Sequence, residues 1–224
     1  ADGISFVEAE TRREKAMSKK EVPLHALAAY LPEGSIEPVL DYLHQYKIHL
    51  TITRERNSIL GDYRHAIHQK NHRISVNGNL NKYSFLVTLL HEIAHLLAFE
   101  NFGHRIAAHG KEWKHEYGKI LAQFLLKKIF PADIEKALMK SLQNPSATSC
   151  GEEHLMRVLK NYDVRKQGEV LVEQLQHDQL FKTKDGRVFQ KKEKLRKRHK
   201  AIDVKSGAVY LFSGVYEVEV MRDE

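Results

Sequence analysis

The segment His91-Glu92-Ile93-Ala94-His95 combines two imidazoles and a carboxylate at a spacing that suits metal-assisted hydrolysis. In an α-helix, residues four apart lie one turn apart, so His91 and His95 can direct ring nitrogens at one Zn²⁺. Glu92 then lies beside the ion without binding it and can move protons. With Thr88, these residues form a stripe about 100° wide on a helix otherwise made of Leu, Ile, Val, Phe and Ala.

The stripe needs an explanation, because burying unpaired titratable groups costs several kcal/mol. One explanation is a pair of core histidines bonded to backbone carbonyls, with Glu92 at the helix edge. We favour a metal ion, because the sequence offers a third ligand and catalytic zinc usually has three protein ligands and an open position. The metzincin pattern needs Gly at 98 and His at 101, so Ala98 and Asn101 exclude that class.

The candidates for the third ligand are two carboxylates and two imidazoles downstream: Glu112, Glu116, His104 and His109. His109 is the best of them, because it immediately precedes Gly110 and the helix that carries Trp113, where a loop could return it to the stripe. His115 is expected to point to solvent, about 160° away from Trp113 on that helix.

Two segments, L-L-H-E-I-A-H-L-L and F-G-H-R-I-A-A-H-G-K-E-W, resemble the SprT-like (Spartan-type) zinc metalloprotease family. The resemblance covers roughly Pro38 to Lys128. It implies one zinc per chain with ligands His91, His95 and His109, and Glu92 as the catalytic acid. Many bacterial relatives end in a cysteine zinc ribbon, whereas the one cysteine here is Cys150, so we expect no second zinc.

The resemblance implies a zinc-dependent metalloendopeptidase in which Glu92 activates a zinc-bound water to hydrolyse peptide bonds. Eukaryotic members of the family resemble DNA-dependent proteases that clear proteins crosslinked to DNA, so DNA-associated proteins are the expected substrates and DNA repair the expected process. The alternative is a zinc-stabilised nucleic-acid-binding or regulatory protein without proteolytic turnover. Candidates for stabilising the oxyanion are Tyr63, His72 and Tyr83, in no order, and the strand at Ile74–Val76 could pair with an extended substrate.

A basic segment lies far along the chain from His91, His95 and His109. Of the net charge of +7, the 24 residues from Lys182 to Lys205 carry +8, with 11 Lys and Arg against three acidic residues. Such a segment predicts non-specific, salt-dependent binding to the phosphates of DNA, whereas the alternative is a solvated hairpin loop. Stacking platforms could come from Phe189, Tyr210 and Phe212. The predicted nucleic-acid contacts are Lys191, Lys192, Lys194, Arg196, Lys197, Arg198 and Lys200.

The predicted fold class is α+β: a small zincin-like metalloprotease domain of helices and a short β-sheet, followed by a small all-β basic domain. Ser35 can cap the second helix, and Gly61-Asp62 marks a turn. Periodicity predicts helices at 24–30, 36–43, 83–99, 111–129 and 132–142, another ending at 162 after the capping box Ser149-x-x-Glu152, strands at 47–53 and 74–76, and further strands after 168.

The predicted domain limits are a tail or remnant at 1–16, the metalloprotease domain at 17–145, a linker and helix at 146–166, and the basic β-rich domain at 167–224. The 42% of apolar residues can bury a core, which excludes a disordered chain. Because the sequence shows no signal peptide and no apolar run of about 20 residues, we expect a cytoplasmic protein that does not bind a membrane. We also expect a monomer.

Overall fold

The computed structural model describes residues 24–56, 59–66, 71–143, 153–164 and 168–221. The chain is α+β and divides between Ile129 and Phe130 into two compact units, each with its own β-sheet. The predicted tail at 1–16, the capping box Ser149-x-x-Glu152 and Cys150 lie outside the described residues.

The first unit contains helices and a three-stranded sheet. Its elements are α1 (Leu24–Leu27, continued by a 3₁₀ turn at Ala28–Tyr30), α2 (Ile36–Gln45), β1 (His49–Thr53), β2 (Gly61–Arg64), β3 (Arg73–Asn77), α3 (Lys82–Phe102) and α4 (Lys111–Leu126).

Strand β3 is the centre of this sheet, with β1 parallel on one side and β2 antiparallel on the other. Both edges of β3 are therefore occupied, and the prediction that Ile74–Val76 pairs with a substrate is wrong. The prediction of a turn at Gly61-Asp62 is also wrong, because these residues begin β2 and pair with Val76 and Ser75. The local turn signal is overridden by hydrogen bonding in the sheet.

Helix α3 is the buried centre of the first unit. The side chain of Asn81 caps its start by accepting hydrogen bonds from the amides of Tyr83 at 3.1 Å and Ser84 at 2.9 Å. Gly103, at φ 77°, ends it in a left-handed conformation that favours glycine. Within the described chain, α3 is the one helix whose length and composition would suit a membrane span, but 72% of that window is buried inside the protein, as in a core helix.

Helices α2 and α4 pack on the same core, with Val39, Trp113 and Phe124 almost completely buried. Ser35 does occupy the position before α2, but its hydroxyl donates to the carbonyl of Pro32 at 2.7 Å and makes no cap bond to the helix. The prediction that its side chain caps α2 is therefore wrong, because the preceding turn takes its hydroxyl.

The second unit begins with helices and continues as an all-β region. Its elements are α5 (Ala132–Gln143), α6 (Glu153–Leu159, continued by a 3₁₀ turn at Lys160–Tyr162), β4 (Glu169–Leu171), β5 (Leu180–Lys182), β6 (Val188–Leu195), β7 (Arg198–Asp203), β8 (Val209–Ser213) and β9 (Glu217–Val220).

The six strands form an antiparallel sheet in the order β4-β9-β5-β6-β7-β8. Phe181, Phe189 and Val218 lie in its apolar core. Helices α5 and α6 group with this sheet rather than with the first unit, whereas the sequence suggested a limit after residue 145. The limits of the functional domains stay a prediction.

Candidate metal centre

Three imidazoles converge at one end of the first unit. His91 and His95 extend from successive turns of α3, and His109 precedes Gly110, the N-cap residue of α4. One ring nitrogen from each lies within 4.8 Å of the other two, so the group could hold a metal ion. The Nε2 atoms of His91 and His109 are 3.3 Å apart. Two ligands about 2.05 Å from a tetrahedral Zn²⁺ are also about 3.3 Å apart, so the observed spacing fits this ion.

Burial keeps these imidazoles uncharged. It lowers the pKa of His91 to about 3, with His95 and His109 adding to the effect, and lowers the pKa of His95 to about 4. The pKa of His109 is also lowered by burial. An imidazole must be neutral to bind a metal, so the group is in its ligand form at neutral pH.

Trp113 forms the wall behind the three imidazoles. Its ring lies 4.7 Å from His91, 5.4 Å from His95 and 4.8 Å from His109, measured between centroids. It is fully buried and stacks on Tyr117, which fixes the surface on which the imidazoles rest. Trp113 belongs to a segment that carried the family resemblance, but its contacts with the imidazoles were not predicted, although its position four residues after His109 was an available signal.

The other predicted ligands lie elsewhere. His104 and His115 are exposed to solvent, as was expected for His115. Glu116 is buried, but its carboxylate faces Lys119 and a cavity beside α2. Among the described residues, the group within metal-binding distance therefore consists of His91, His95 and His109.

Glu92 is buried beside the imidazoles at 7% exposure. Its pKa is raised to about 8, mainly by burial and also by Asp62, while Arg56 opposes the shift. A cation among the imidazoles would attract the charged carboxylate and so also oppose the shift. Glu92 is therefore a proton-binding group directly beside the candidate ligand His91 in the sequence.

Comparisons with known proteins identify the family of this chain. The model of the SprT-like family matches residues 39–134. Protein SprT of Proteus mirabilis (strain HI4320) is 31% identical over 141 residues, which cover 61% of this chain and 73% of that protein.

This chain belongs to the SprT-like family.

The resemblance inferred from the sequence motifs is thus confirmed, and membership indicates a metalloprotease-type function. No solved structure matches the chain.

In this SprT-like chain, strand β2 runs along the polar face of α3. A Cβ atom at Gly61 would lie 2.6 Å from Oε1 of Glu92 and 2.8 Å from Cγ2 of Thr88, so the strand approaches closely because this residue is glycine. Tyr63, two residues along the same face, lies parallel to the ring of His95 at a centroid distance of 6.4 Å. Strand β2 therefore forms one side of the candidate site.

Of the three candidates for the oxyanion, two lie together at this strand. The hydroxyl of Tyr63 is 3.0 Å from Nδ1 of His72, whose Nε2 is 3.3 Å from Oε1 of Glu100. When His72 is neutral, Nε2 donates to Glu100 and Tyr63 donates to Nδ1. Burial and then Glu100 raise the pKa of Tyr63, so its hydroxyl stays protonated. Tyr83 lies twelve residues before His95, roughly 18 Å along α3, and is not brought to the site.

The predicted nucleic-acid contacts fall into two groups on the hairpin of β6 and β7. Lys194, Arg196, Lys197 and Arg198 are exposed at its tip, and among the described residues no carboxylate lies within ion-pair distance of them. Lys192 and Lys200 are half-buried and pair with Asp178 and Glu193, respectively.

Three predicted residues of this surface need correction. Lys191 is 7% exposed and donates to the carbonyl of Leu175, so its ammonium is not available to DNA. Phe189 is fully buried and Phe212 packs on the same core, because alternate residues of these strands face inward. Tyr210 is 37% exposed, with the guanidinium of Arg187 over its ring at 5.0 Å.

The substitution His109→Ala tests the third ligand. We expect it to lower zinc affinity by at least about tenfold, because two imidazoles on one helix remain where three converged. Zinc content after competition with a chelator is the measurement. His115→Ala, which removes an exposed histidine from the neighbouring helix, is the matched control. Equal loss of zinc in both variants, or in neither, would contradict the assignment.

The substitution Gly61→Ala tests the close approach of β2 to α3. We expect the free energy of unfolding to fall by about 1–3 kcal/mol, because the new methyl group overlaps Glu92 and Thr88. Gly118→Ala in α4 is the control, since nothing lies within 4 Å of its added Cβ, and we expect it to stabilise by up to about 1 kcal/mol. Urea unfolding followed by the fluorescence of Trp113, the one tryptophan of the chain, reports on this unit. Equal effects of the two alanines would show that β2 is not held against Glu92.

Proposed function

We propose that this chain is a zinc-dependent metalloendopeptidase that holds one zinc ion with His91, His95 and His109 in a zincin-like core. The observation that carries the proposal is the convergence of three neutral imidazoles beside the buried carboxylate of Glu92. A structural zinc site is closed by four protein ligands, whereas three converge here among the described residues, which leaves the fourth position for a water as in catalytic sites.

Bound by His91, His95 and His109, a zinc ion would supply a Lewis acid for the scissile carbonyl and would bring the pKa of a bound water toward ~7. The carboxylate of Glu92 accepts the proton of the attacking water and then delivers it to the leaving amine. The burial of Glu92 supports this role, because it raises the pKa of the carboxylate toward neutral pH. A general acid or base works best when its pKa lies near the pH of the reaction.

Tyr63 is the candidate for the hydroxyl that faces the reacting carbonyl. Its ring lies beside His95, and its phenol oxygen is held by His72, which in turn pairs with Glu100. Tyr63 can donate to an oxyanion when Nδ1 of His72 donates to the phenol oxygen, because the phenol proton is then free to turn toward the reacting carbonyl.

Strand β2 is the edge at which an extended substrate would pair. It uses one side to bond β3, and its position along α3 brings its residues within reach of Glu92 and His95. An edge strand offers free backbone groups to a peptide, which gives affinity without side-chain specificity. The proposed pairing edge is therefore β2 and not β3.

The proposed substrates are proteins associated with or crosslinked to DNA. The support is the exposed basic tip of the hairpin of β6 and β7, where four cations project and no carboxylate of the described residues lies within ion-pair distance of them. Cations at this density bind the phosphate backbone without reading sequence, because they attract charge and contact no base edges.

The substitution Glu92→Gln separates catalysis from metal binding. We expect zinc content to be unchanged and cleavage of casein to fall by about 10²–10⁴-fold, because the amide cannot accept the proton. Glu112→Gln on the following helix is the matched control and should keep both properties. Digestion is measured with and without chelator and with and without DNA. If the purified chain binds zinc and DNA but cleaves nothing under any condition, the alternative of a zinc-stabilised nucleic-acid-binding or regulatory protein is correct.

Replacement of Lys194, Arg196, Lys197 and Arg198 by Glu tests the DNA surface. We expect weaker DNA retention and a shallower dependence of log Kd on log salt, by about 0.7–0.9 for each phosphate that the variant no longer neutralises. The control replaces four exposed cations of the first unit, Lys82, Arg105, Lys111 and Lys127, with the same change in net charge. An identical decrease in both variants would mean that net charge alone, and not this hairpin, attracts DNA.

A further inference from the structure

A second cavity of the first unit lies away from the metal centre. It lies among α2, α3 and α4 and has a volume of about 480 Å³. This volume is within the range of about 300–1,000 Å³ that is typical of ligand pockets. Leu97 and Asn101 of α3 line it. Leu97 follows His95 by two residues, so it lies about 200° around the helix from that ligand. The cavity and the metal centre are therefore on different sides of α3.

The carboxylate of Glu116 is the buried charge of this cavity. The residue is 3% exposed, and its Oε2 atom is 3.3 Å from Nζ of Lys119. Its Oε1 atom accepts no hydrogen bond from any described residue. Because Glu116 lines the cavity, a polar group that enters the cavity can supply a hydrogen bond to this oxygen.

Lys119 holds Glu116 only loosely. Its side chain is 60% exposed, and it approaches a single oxygen from the neighbouring turn of α4. Ion pairs with an exposed lysine contribute little to stability, so a second cation can displace Lys119.

Aromatic rings complete the wall of the cavity. Tyr42 and Tyr46 of α2 stack at a centroid distance of 6.2 Å, and both line it. The hydroxyl of Tyr42 donates to Oε1 of Gln123 at 2.6 Å, which holds this ring in place. Asp41 adds a second carboxylate at the rim. Aromatic faces beside carboxylates attract organic cations.

We propose that this cavity binds one basic side chain, a lysine or an arginine, presented by a partner protein. The ammonium or guanidinium group donates to Oε1 of Glu116, its alkyl chain packs on Tyr42 and Tyr46, and Lys119 swings out to solvent. Binding here requires neither zinc nor Glu92, so it is independent of the proposed protease activity.

The test measures binding of blocked amino acids to the full chain by NMR titration. The probes are the N-acetyl amides of arginine, lysine and citrulline, the last a neutral analogue of arginine. We expect the arginine or lysine probe to bind at least about tenfold more tightly than the citrulline probe, and comparison of the two cations identifies the preferred group. Equal binding of the citrulline probe would overturn the proposal.

Two substitutions should change the affinity in opposite directions. Glu116→Gln should weaken binding of the preferred cation by about tenfold or more, with Glu112→Gln on the same helix as control. Lys119→Gln should strengthen binding by about two- to fivefold, because it removes the competing cation. Misfolding cannot produce a gain in affinity, so weaker or unchanged binding in Lys119→Gln would contradict the proposal. Binding should persist in His109→Ala, so the result does not depend on metal or catalysis.

Discussion

The organisation of the first unit depends on how a buried helix accommodates titratable side chains. His91, Glu92 and His95 lie on α3, where most other residues pack against apolar neighbours. Leaving such groups without partners in the core would cost several kcal/mol. The structure meets this constraint by bringing His109 and Trp113 to one side of the stripe and the edge strand β2 to the other.

Two buried carboxylates in the same unit illustrate how surroundings determine chemistry. Glu92 lies beside three neutral imidazoles, and burial raises its pKa. Glu116 lies on a different side of the helices, beside an exposed lysine and two tyrosine rings. The first environment suits a group that exchanges protons next to a cation, whereas the second suits a fixed negative charge that accepts hydrogen bonds.

Patterns local in the chain were predictable. The apolar run with His91, Glu92 and His95 predicted α3, and the position of His109 before Gly110 predicted its return to that helix, because helical geometry and a short loop constrain both. Features set by long-range pairing were not. Gly61 has the local signature of a turn but begins a strand, because Val76 pairs with it. Tyr63 and Glu100 are separated by 37 positions, and nothing in the spacing indicated that His72 would join them.

The same distinction applies to the basic segment. Its charge was readable from composition, but which cations reach solvent depends on strand register, and Lys191 faces inward where Lys194 faces out. Charge density therefore predicted a basic surface, whereas the register of the strands determines which cations of the segment belong to it.

X-ray absorption at the zinc K-edge of the chain loaded with one equivalent of zinc tests the central claim most directly. The account predicts three imidazole nitrogens at about 2.0–2.1 Å and one further light-atom ligand, with the outer-shell scattering of imidazole rings. Sulfur scattering at about 2.3 Å, or a shell of oxygens with fewer than three imidazoles, would contradict it.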